Sequence, residues 1–594
     1  MLTTLLSLPG LVAFDIDSEG RLLVGYDGSG VRQLHEIEVD GSWRALTAHG
    51  ERPMNAKYVP GSRRVILEQD TGGDEQGQLS TLELDGPEGL PKPAPLVHDP
   101  AYFHHLVAAR ADRVLYTTNR RNNVDFDLIA RDLVTGDEMV LYDGGGYLAT
   151  IEPSPDDRWI LFSRAGGPAN SVQALLVDTG TKKVTQLTRF EDPFYVYPLS
   201  WPADSSAALI SGDFDGDRIA VKRYDLASET WTTVLANDER DLHGWASPTG
   251  EHILVGANED GVVSLALHRL DGSLVAPIDL PVGCAALLTE SQPQWSADGS
   301  HLLITFTSPT EPAHLIRYSV ADGSTLAVRA PDSPALPEGL RQPTSHRVPS
   351  FDGEQIPVFV HRPADGGDGS AVLVIHGGPE WQAGLTWNPI IAGLVDQGHT
   401  VVVPNVRGSS GYGKRWYSLD DKQLRLNSVK DLAAIHGWLP TIGVDQTRVA
   451  LWGGSYGGYM VLAGLAFQPS LWAAGVDIVG MASLVTFLEN TSAYRVVARE
   501  REYGVLAEDR DFLEEASPLS RVDDIRAPLF VIHGANDPRV PLSEAEQIAE
   551  ALAKRDVPCQ LLVYPDEGHG LAKRKNRLDA YPQAFAFLRE HLSI

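Results

Sequence analysis

The chain has 594 residues, and 49 Lys+Arg against 79 Asp+Glu give a formal net charge of -30 at pH 7. That excess repels phosphate backbones and anionic lipid, so neither nucleic acid nor a membrane surface is an expected partner, and no run approaches the ~20 apolar residues that cross a bilayer. The length exceeds what one hydrophobic core sustains, so at least two domains are expected.

Cys284 and Cys559 are the two cysteines. They form neither a disulfide framework nor a CxxC pair, and with no HExxH and no zinc-like His/Cys spacing, no metal or cofactor is expected. The start, MLTTLLSLPGLVAFDID, lacks a basic n-region and a cleavage site, which makes a cytoplasmic protein the expectation.

From the N-terminus to about residue 328 the chain runs in short alternating segments broken by Gly, Asp and Ser. A turn residue followed by an apolar strand recurs in SEGRLLV at 18, VPGSRRVIL at 59, RADRVLY at 110, SPDDRWILF at 154, PADSSAALI at 202, SPTGEHILV at 248 and SADGSHLLI at 296. Taking Gly20, Ser62, Asp112, Asp157, Ser205, Gly250 and Gly299 as equivalent gives gaps of 42, 50, 45, 48, 45 and 49 residues. A second strand and turn follow each copy, as in YDLASETWTTVL from 224. Four short strands per ~45 residues, repeated radially, make a β-propeller, and seven copies predict seven blades over residues 1–335.

APDSPALPEGLRQPTSH, residues 329–345, carries no period and marks a boundary. Beyond it come nearly continuous apolar runs such as SAVLVIHGG, HTVVVPNVRG, RVALWGGS and APLFVIHG. Helical patterns at 426–439, 459–468 and 542–555 are interleaved with them. Strands buried on both faces and alternating with amphipathic helices predict a mostly parallel sheet, an α/β domain over residues 336–594.

Within it, LWGGSYGGYM places Ser455 at a strand-to-helix corner. Gly453-x-Ser455-x-Gly457 fits a nucleophile elbow, in which glycines make room for a tight turn that lifts the hydroxyl above the sheet. A serine needs a base, and His569 in YPDEGHG follows a strand, with Asp537 in VIHGANDPRV as its orienter. The order Ser455, Asp537, His569 is that of α/β-hydrolases, and all three lie at carboxyl ends of sheet strands. The N–H of Tyr456 and that of Gly377 or Gly378 would hold an oxyanion. His376 and His533 also follow strand ends but fit structural roles better.

These motifs, HGGP at 376–379, NVRGSSGYG at 405–413, GGSYGGY at 453–459, HGANDPRVP at 533–541 and EGH at 567–569, resemble those of the prolyl oligopeptidase family of serine peptidases, in its acylaminoacyl-peptidase or bacterial dipeptidyl-aminopeptidase-like branch. The resemblance implies a seven-bladed propeller capping an α/β-hydrolase domain and cleavage of short peptides or blocked amino acids. It implies a Ser455–Asp537–His569 triad and backbone oxyanion donors at Gly378 and Tyr456. Histidine at 376 departs from the tyrosine of classical prolyl oligopeptidases. Arg539 resembles the family arginine that holds a substrate carbonyl, with an interdomain salt bridge as the other reading. The S1 wall is expected in SLVTFLENTSAYR at 483–495, giving Phe487, Leu488 and Tyr494.

An aminopeptidase needs a carboxylate for the substrate's α-amino group, and the propeller loops NRRNNVDFD at 119–127 and GDFDGDR at 212–218 are places to look. No glutamate pair matches the dipeptidyl-peptidase motif. A carboxypeptidase-like member would need arginines aimed at a carboxylate, for which Arg120 and Arg121 serve. A small-molecule esterase or amidase uses the same triad, and an inert propeller scaffold is the remote alternative. Self-association into a homo-oligomer is left open.

Overall fold

The computed structural model describes residues 1–86, 89–165, 172–188 and 195–593. Residues 11–328 form seven consecutive antiparallel sheets, six of four strands, which span residues 11–45, 53–97, 104–142, 147–186, 196–235 and 241–278. The seventh, residues 284–328, has its inner strand split into Cys284–Ala285 and Gln294–Trp295, both paired to His301–Ser308. Each of the seven turn residues read from the sequence lies between the first and second strand of its blade. The left-handed backbone such a turn uses is carried by Gly20, Asp157, Ser205, Gly250 and Gly299, and in the second blade by Gly61 instead of its neighbour Ser62.

The ring closes without a shared strand. Leu11, Ala13, Ile16, Leu22, Val24 and Ile37 of the first blade pack with Leu303 and Leu315 of the seventh in one apolar cluster. Inner-strand residues of all blades line an axial cavity of about 1440 Å³. Glu152 faces this cavity, and burial pushes its carboxyl up to about 7 against the opposing charges of Lys57 and Arg110.

The second domain is an eight-stranded sheet: β1 (Thr344–Pro349), β2 (Gln355–His361), β3 (Ala371–Ile375), β4 (Thr400–Pro404), β5 (Val449–Gly454), β6 (Ala474–Ile478), β7 (Leu529–Gly534) and β8 (Cys559–Tyr564). Its order is β1-β2-β4-β3-β5-β6-β7-β8, parallel from β4 onward and antiparallel among β1, β2 and β4. The order reverses around β3, and the carboxyl ends of β3, β5, β7 and β8 open on one edge, where such sheets place their sites. Strands β3 and β4 are buried at every position, as helix-covered parallel strands require.

Helices cover both faces. α1 (Leu2–Ser7), α2 (Pro389–Asp396) and α8 (Arg574–Leu592) pack on one side, and α3 (Leu426–Trp438), α4 (Tyr456–Phe467), α5 (Leu484–Asn490), α6 (Ala493–Tyr503) and α7 (Leu542–Ala553) belong to the other. α4 is buried from Tyr456 to Ala466, the pattern of a helix with no solvent face. α1 corrects the expected division of the chain. Leu6 joins the core containing Leu394, Phe585 and Leu588, so the first residues pack on the hydrolase domain although the propeller follows them in sequence.

Candidate active site

Ser455 stands between β5 and α4 with φ 58° and ψ −118°, a strained backbone for a residue with a side chain. The flanking glycines explain how the corner closes. A Cβ on Gly453 would come 2.2 Å from the Gly457 carbonyl oxygen, and one on Gly457 2.2 Å from that of Ile375, so no side chain fits at either. The Ser455 N–H is held by the Ile478 carbonyl at 2.8 Å. Tyr456 opens α4, so its N–H has no acceptor inside the helix and adds to the positive end of the helix dipole.

Asp537 follows β7 and His569 follows β8. Their side chains meet directly, with His569 Nδ1 2.6 Å from Asp537 Oδ2. The other carboxylate oxygen accepts the N–H groups of Arg539 at 2.8 Å and Val540 at 3.0 Å. Burial pushes the Asp537 carboxyl up, but the His569 hydrogen bond and charge and the two backbone donors outweigh it and hold it below the usual range. The carboxylate therefore stays ionised and fixes Nδ1–H as the donor, leaving Nε2 free to act as a base. Among the described residues no hydrogen bond joins Ser455 to His569, although both follow strand ends at the same edge of the sheet.

The competing histidines are occupied. His376 contacts the Gly377 carbonyl at 2.7 Å and the Ser409 hydroxyl at 2.9 Å, and burial lowers its pKa to about 4. His533 is fully buried with Nε2 3.0 Å from the Val540 carbonyl. Just after β3, a Cβ on Gly377 would lie 3.5 Å from the Ser455 Cβ, which seats this loop against the nucleophile. Gly378 has φ 129° and its N–H donates to no group among the described residues. Its carbonyl accepts from Arg499 Nη1 at 3.5 Å, and Arg499 Nη2 also reaches Glu380 at 3.2 Å.

Arg539 Nε lies 2.7 Å from Glu75 Oε1, an ion pair across the domain boundary. Glu75 belongs to the second blade, and no local motif marks it, since its partner comes from the other domain. Its loop sits on the histidine loop, because Gly73 and Gly568 approach so closely that a Cβ on Gly73 would meet the Gly568 nitrogen at 2.5 Å.

The expected S1 wall needs correction. Phe487 and Leu488 are 3% and 2% exposed inside the hydrolase core, with Phe487 edge-on to Tyr503, so both serve as core packing and not as an open wall. Tyr494 projects into the propeller and packs against Phe103, Phe126 and Tyr147, with ring centroids 5.0, 5.4 and 5.6 Å away. Arg120 and Arg121 are bound by Glu138 and Asp127 and do not aim at the site. The 212–218 loop is an interdomain clasp: Asp213 accepts from the Tyr417 hydroxyl at 3.0 Å, and Asp217 Oδ1 from the Arg415 N–H at 2.7 Å.

Beneath the elbow lies a buried charge network. The Tyr456 hydroxyl reaches Asp420 at 3.0 Å and Ser428 at 2.8 Å. Arg425, fully buried, bridges Asp420 and Glu502. Asp420, Asp421 and Glu502 are the acidic residues near enough to share an ion among the described residues, but the guanidinium already neutralises the two buried ones.

Residues 385–594 match the prolyl oligopeptidase family. The chain is 27% identical over 561 residues to dipeptidyl aminopeptidase BIII of Pseudoxanthomonas mexicana, covering 89% of this chain and 78% of that protein. It is 26% identical over 361 residues to the human acylamino-acid-releasing enzyme, covering 57% and 49%. Its fold follows that of a puromycin-hydrolyzing peptidase of Mycobacterium tuberculosis, with a TM-score of 0.84 at 19% identity over 99% of this chain and 95% of the other. The match to the prolyl oligopeptidase family thus lies in the hydrolase domain, and the propeller joined to that domain is a fold shared along nearly the whole chain with the solved peptidase structure.

Proposed function

We propose that the protein is a serine exopeptidase that cleaves short peptides from a free amino terminus through an acyl-enzyme. The observation that carries this reading is Glu75, a carboxylate brought beside Arg539, two residues from the acid Asp537. In the proposed cycle His569 Nε2 takes the Ser455 proton as the hydroxyl attacks the carbonyl, and later returns it to the leaving amine. Asp537 holds the ring and balances the imidazolium. The Gly378 and Tyr456 N–H groups meet the oxyanion, Arg539 holds a carbonyl of the acyl part, and Glu75 holds its ammonium. The relative named a dipeptidyl aminopeptidase supports an amino-terminal preference; the one named for releasing acylamino acids keeps blocked substrates as the second reading. Substrates are held to be short because the propeller covers the site, and a cytoplasmic setting with no nucleic-acid or membrane partner remains part of the proposal.

The test compares kcat/KM for a dipeptidyl anilide with a free amino group, its N-acetyl form, and a simple ester. A free-amine preference supports the proposal, an acetyl preference selects the second reading, and ester turnover without amide turnover defeats both.

A further inference from the structure

The loop after β3 carries the Gly378 N–H, and two contacts act on the peptide planes either side of this residue. The first plane, between Gly377 and Gly378, holds that N–H and the Gly377 carbonyl, which His376 Nδ1 contacts at 2.7 Å. The second, between Gly378 and Pro379, holds the Gly378 carbonyl, which accepts from Arg499 Nη1 at 3.5 Å. Nothing in the residue itself fixes the two planes, because glycine has no Cβ to restrict it. Nor can another residue replace it: at φ 129° a Cβ would come 2.7 Å from the Glu380 nitrogen and 2.8 Å from that of Trp381.

Arg499 holds this stretch at a second point, where its Nη2 donates to Glu380 Oε1 at 3.2 Å. Among the described residues it is the one side chain outside the loop that hydrogen-bonds to Gly378, Pro379 or Glu380. Beyond them the loop is fastened elsewhere, the Trp381 carbonyl accepting the Ser410 N–H at 3.0 Å and Asn405 Oδ1 the Ala383 N–H at 2.7 Å. Residues 378–380 therefore depend on a helix that lies 121 positions further along the chain. The Arg499 side chain is 17% exposed; burial works against its charge, but Glu380 more than offsets this and the guanidinium stays protonated. Arg425 and Arg501 add to the attraction on Glu380. With its charge balanced by Glu380, what Arg499 supplies to Gly378 is position, through a planar fork that reaches two acceptors at once.

Three residues on, Glu502 shares this face of α6 and holds Arg425, which bridges to Asp420 under the Tyr456 hydroxyl. One helix face thus bears on both residues whose N–H groups are the proposed oxyanion donors. We infer that Arg499 is a positioning residue for the oxyanion site: by holding the Gly378 carbonyl and Glu380 together, it sets the direction of the Gly378 N–H before substrate arrives. This rests on the proposed acyl-enzyme reading and deepens it. Donors aimed in advance at developing charge act on the transition state and add little to ground-state binding, so loss of the clamp should lower kcat and spare KM.

The experiment compares the native protein with Arg499→Gln, Arg499→Lys and Glu380→Gln. A dipeptidyl anilide gives kcat and KM, and a small alkyl fluorophosphonate gives a rate of labelling at Ser455 that draws on the same oxyanion donors without needing any particular peptide. Arg499→Gln should lower kcat and the labelling rate together by roughly 10–100-fold, the scale of a misplaced catalytic group, with KM unchanged. Arg499→Lys, which keeps the charge but not the fork, should recover only part of the loss, and Glu380→Gln should show the same pattern at smaller size. Where Arg499→Gln does not fold, Arg499→Met/Glu380→Met, which removes the pair without stranding either charge, carries the same prediction. An unchanged labelling rate in a folded variant, a fall in kcat with no matching fall in labelling, or a loss confined to KM overturns the clamp. Full rescue by lysine overturns the positional role in favour of charge alone. A native protein that is labelled yet hydrolyses no peptide sinks the peptidase reading, and the labelling comparison still decides the clamp.

Discussion

Arg539 and Glu75 lie 464 positions apart in the chain, and Arg539 Nε meets the two Glu75 carboxylate oxygens at 2.7 and 2.9 Å across the domain boundary. One is fixed by the acid loop of the hydrolase domain and the other by a left-handed turn in the second blade, so the pair exists only when the domains are closed. Arg539 is 42% exposed as a side chain, and an exposed pair adds little to stability. Its value is positional. Replacing Glu75 by Gln should lower kcat/KM for free-amine substrates roughly 10–100-fold, the worth of a hydrogen bond to a charged group, and affect acetylated substrates far less. Equal losses on both would show that Glu75 only braces Arg539.

The triad makes a sharper demand. His569→Ala should reduce turnover on the scale of ~10⁴ to 10⁶, and Ser455→Ala should abolish labelling by a fluorophosphonate. The strained φ of 58° at Ser455 adds a stability prediction. Ser455→Gly, freed of the Cβ penalty, should be about 1 kcal/mol more stable than Ser455→Ala in denaturant melts, and the reverse order would deny that the elbow stores strain.

How much of this was written locally in the sequence differs from residue to residue. The strand-end positions of Ser455, Asp537 and His569, and the meeting of the last two, were legible because each sits in a short motif at a strand end, and strand ends are set by local patterning. The seven blades were legible through their turns, since a left-handed residue recurs where the inner strand doubles back in six of them, the turn at Asp112 in the third blade being the exception. Phe487 and Leu488 misled because an apolar helix after the nucleophile looks the same whether it lines a pocket or fills a core. Glu75 was invisible for the opposite reason, one acid among many whose partner is supplied by another domain. Helix α1 carries only six residues and no side-chain cap, too little signal to show that it crosses back to the hydrolase.

The interdomain clasp should respond to pH. Burial pushes the Asp213 carboxyl up to about 7, against the Tyr195 N–H and the Lys414 charge. A folded pKa raised above the unfolded value means that the folded state binds the proton more tightly. The contribution is full below the unfolded pKa, declines as pH rises and is lost above about 7. Between those limits Asp213 alone imposes a slope of up to about 1.4 kcal/mol per pH unit. Asp213→Asn, which keeps the protonated shape, should flatten the fall of the melting temperature between pH 5 and 8; an unchanged profile would remove Asp213 from the clasp.

The network beneath the elbow makes the last prediction. Arg425, Asp420 and Glu502 are all fully buried, and burial pushes both carboxyls up even against Arg425, the principal charge opposing that rise. Removing only the arginine leaves two acids without their counter-charge, so Arg425→Met should cost about 3–5 kcal/mol. Replacing all three by apolar residues of similar volume should recover much of that loss, since a buried ion cluster is weakly stabilising once desolvation is counted. The Tyr456 hydroxyl, 3.0 Å from Asp420, links this cluster to the residue whose N–H is the proposed oxyanion donor. If the cluster is only a packing unit, the triple variant regains both stability and kcat. If it also holds the start of α4 in register, stability returns while kcat stays depressed, and KM, which the proposed function assigns to Arg539 and Glu75, remains unchanged.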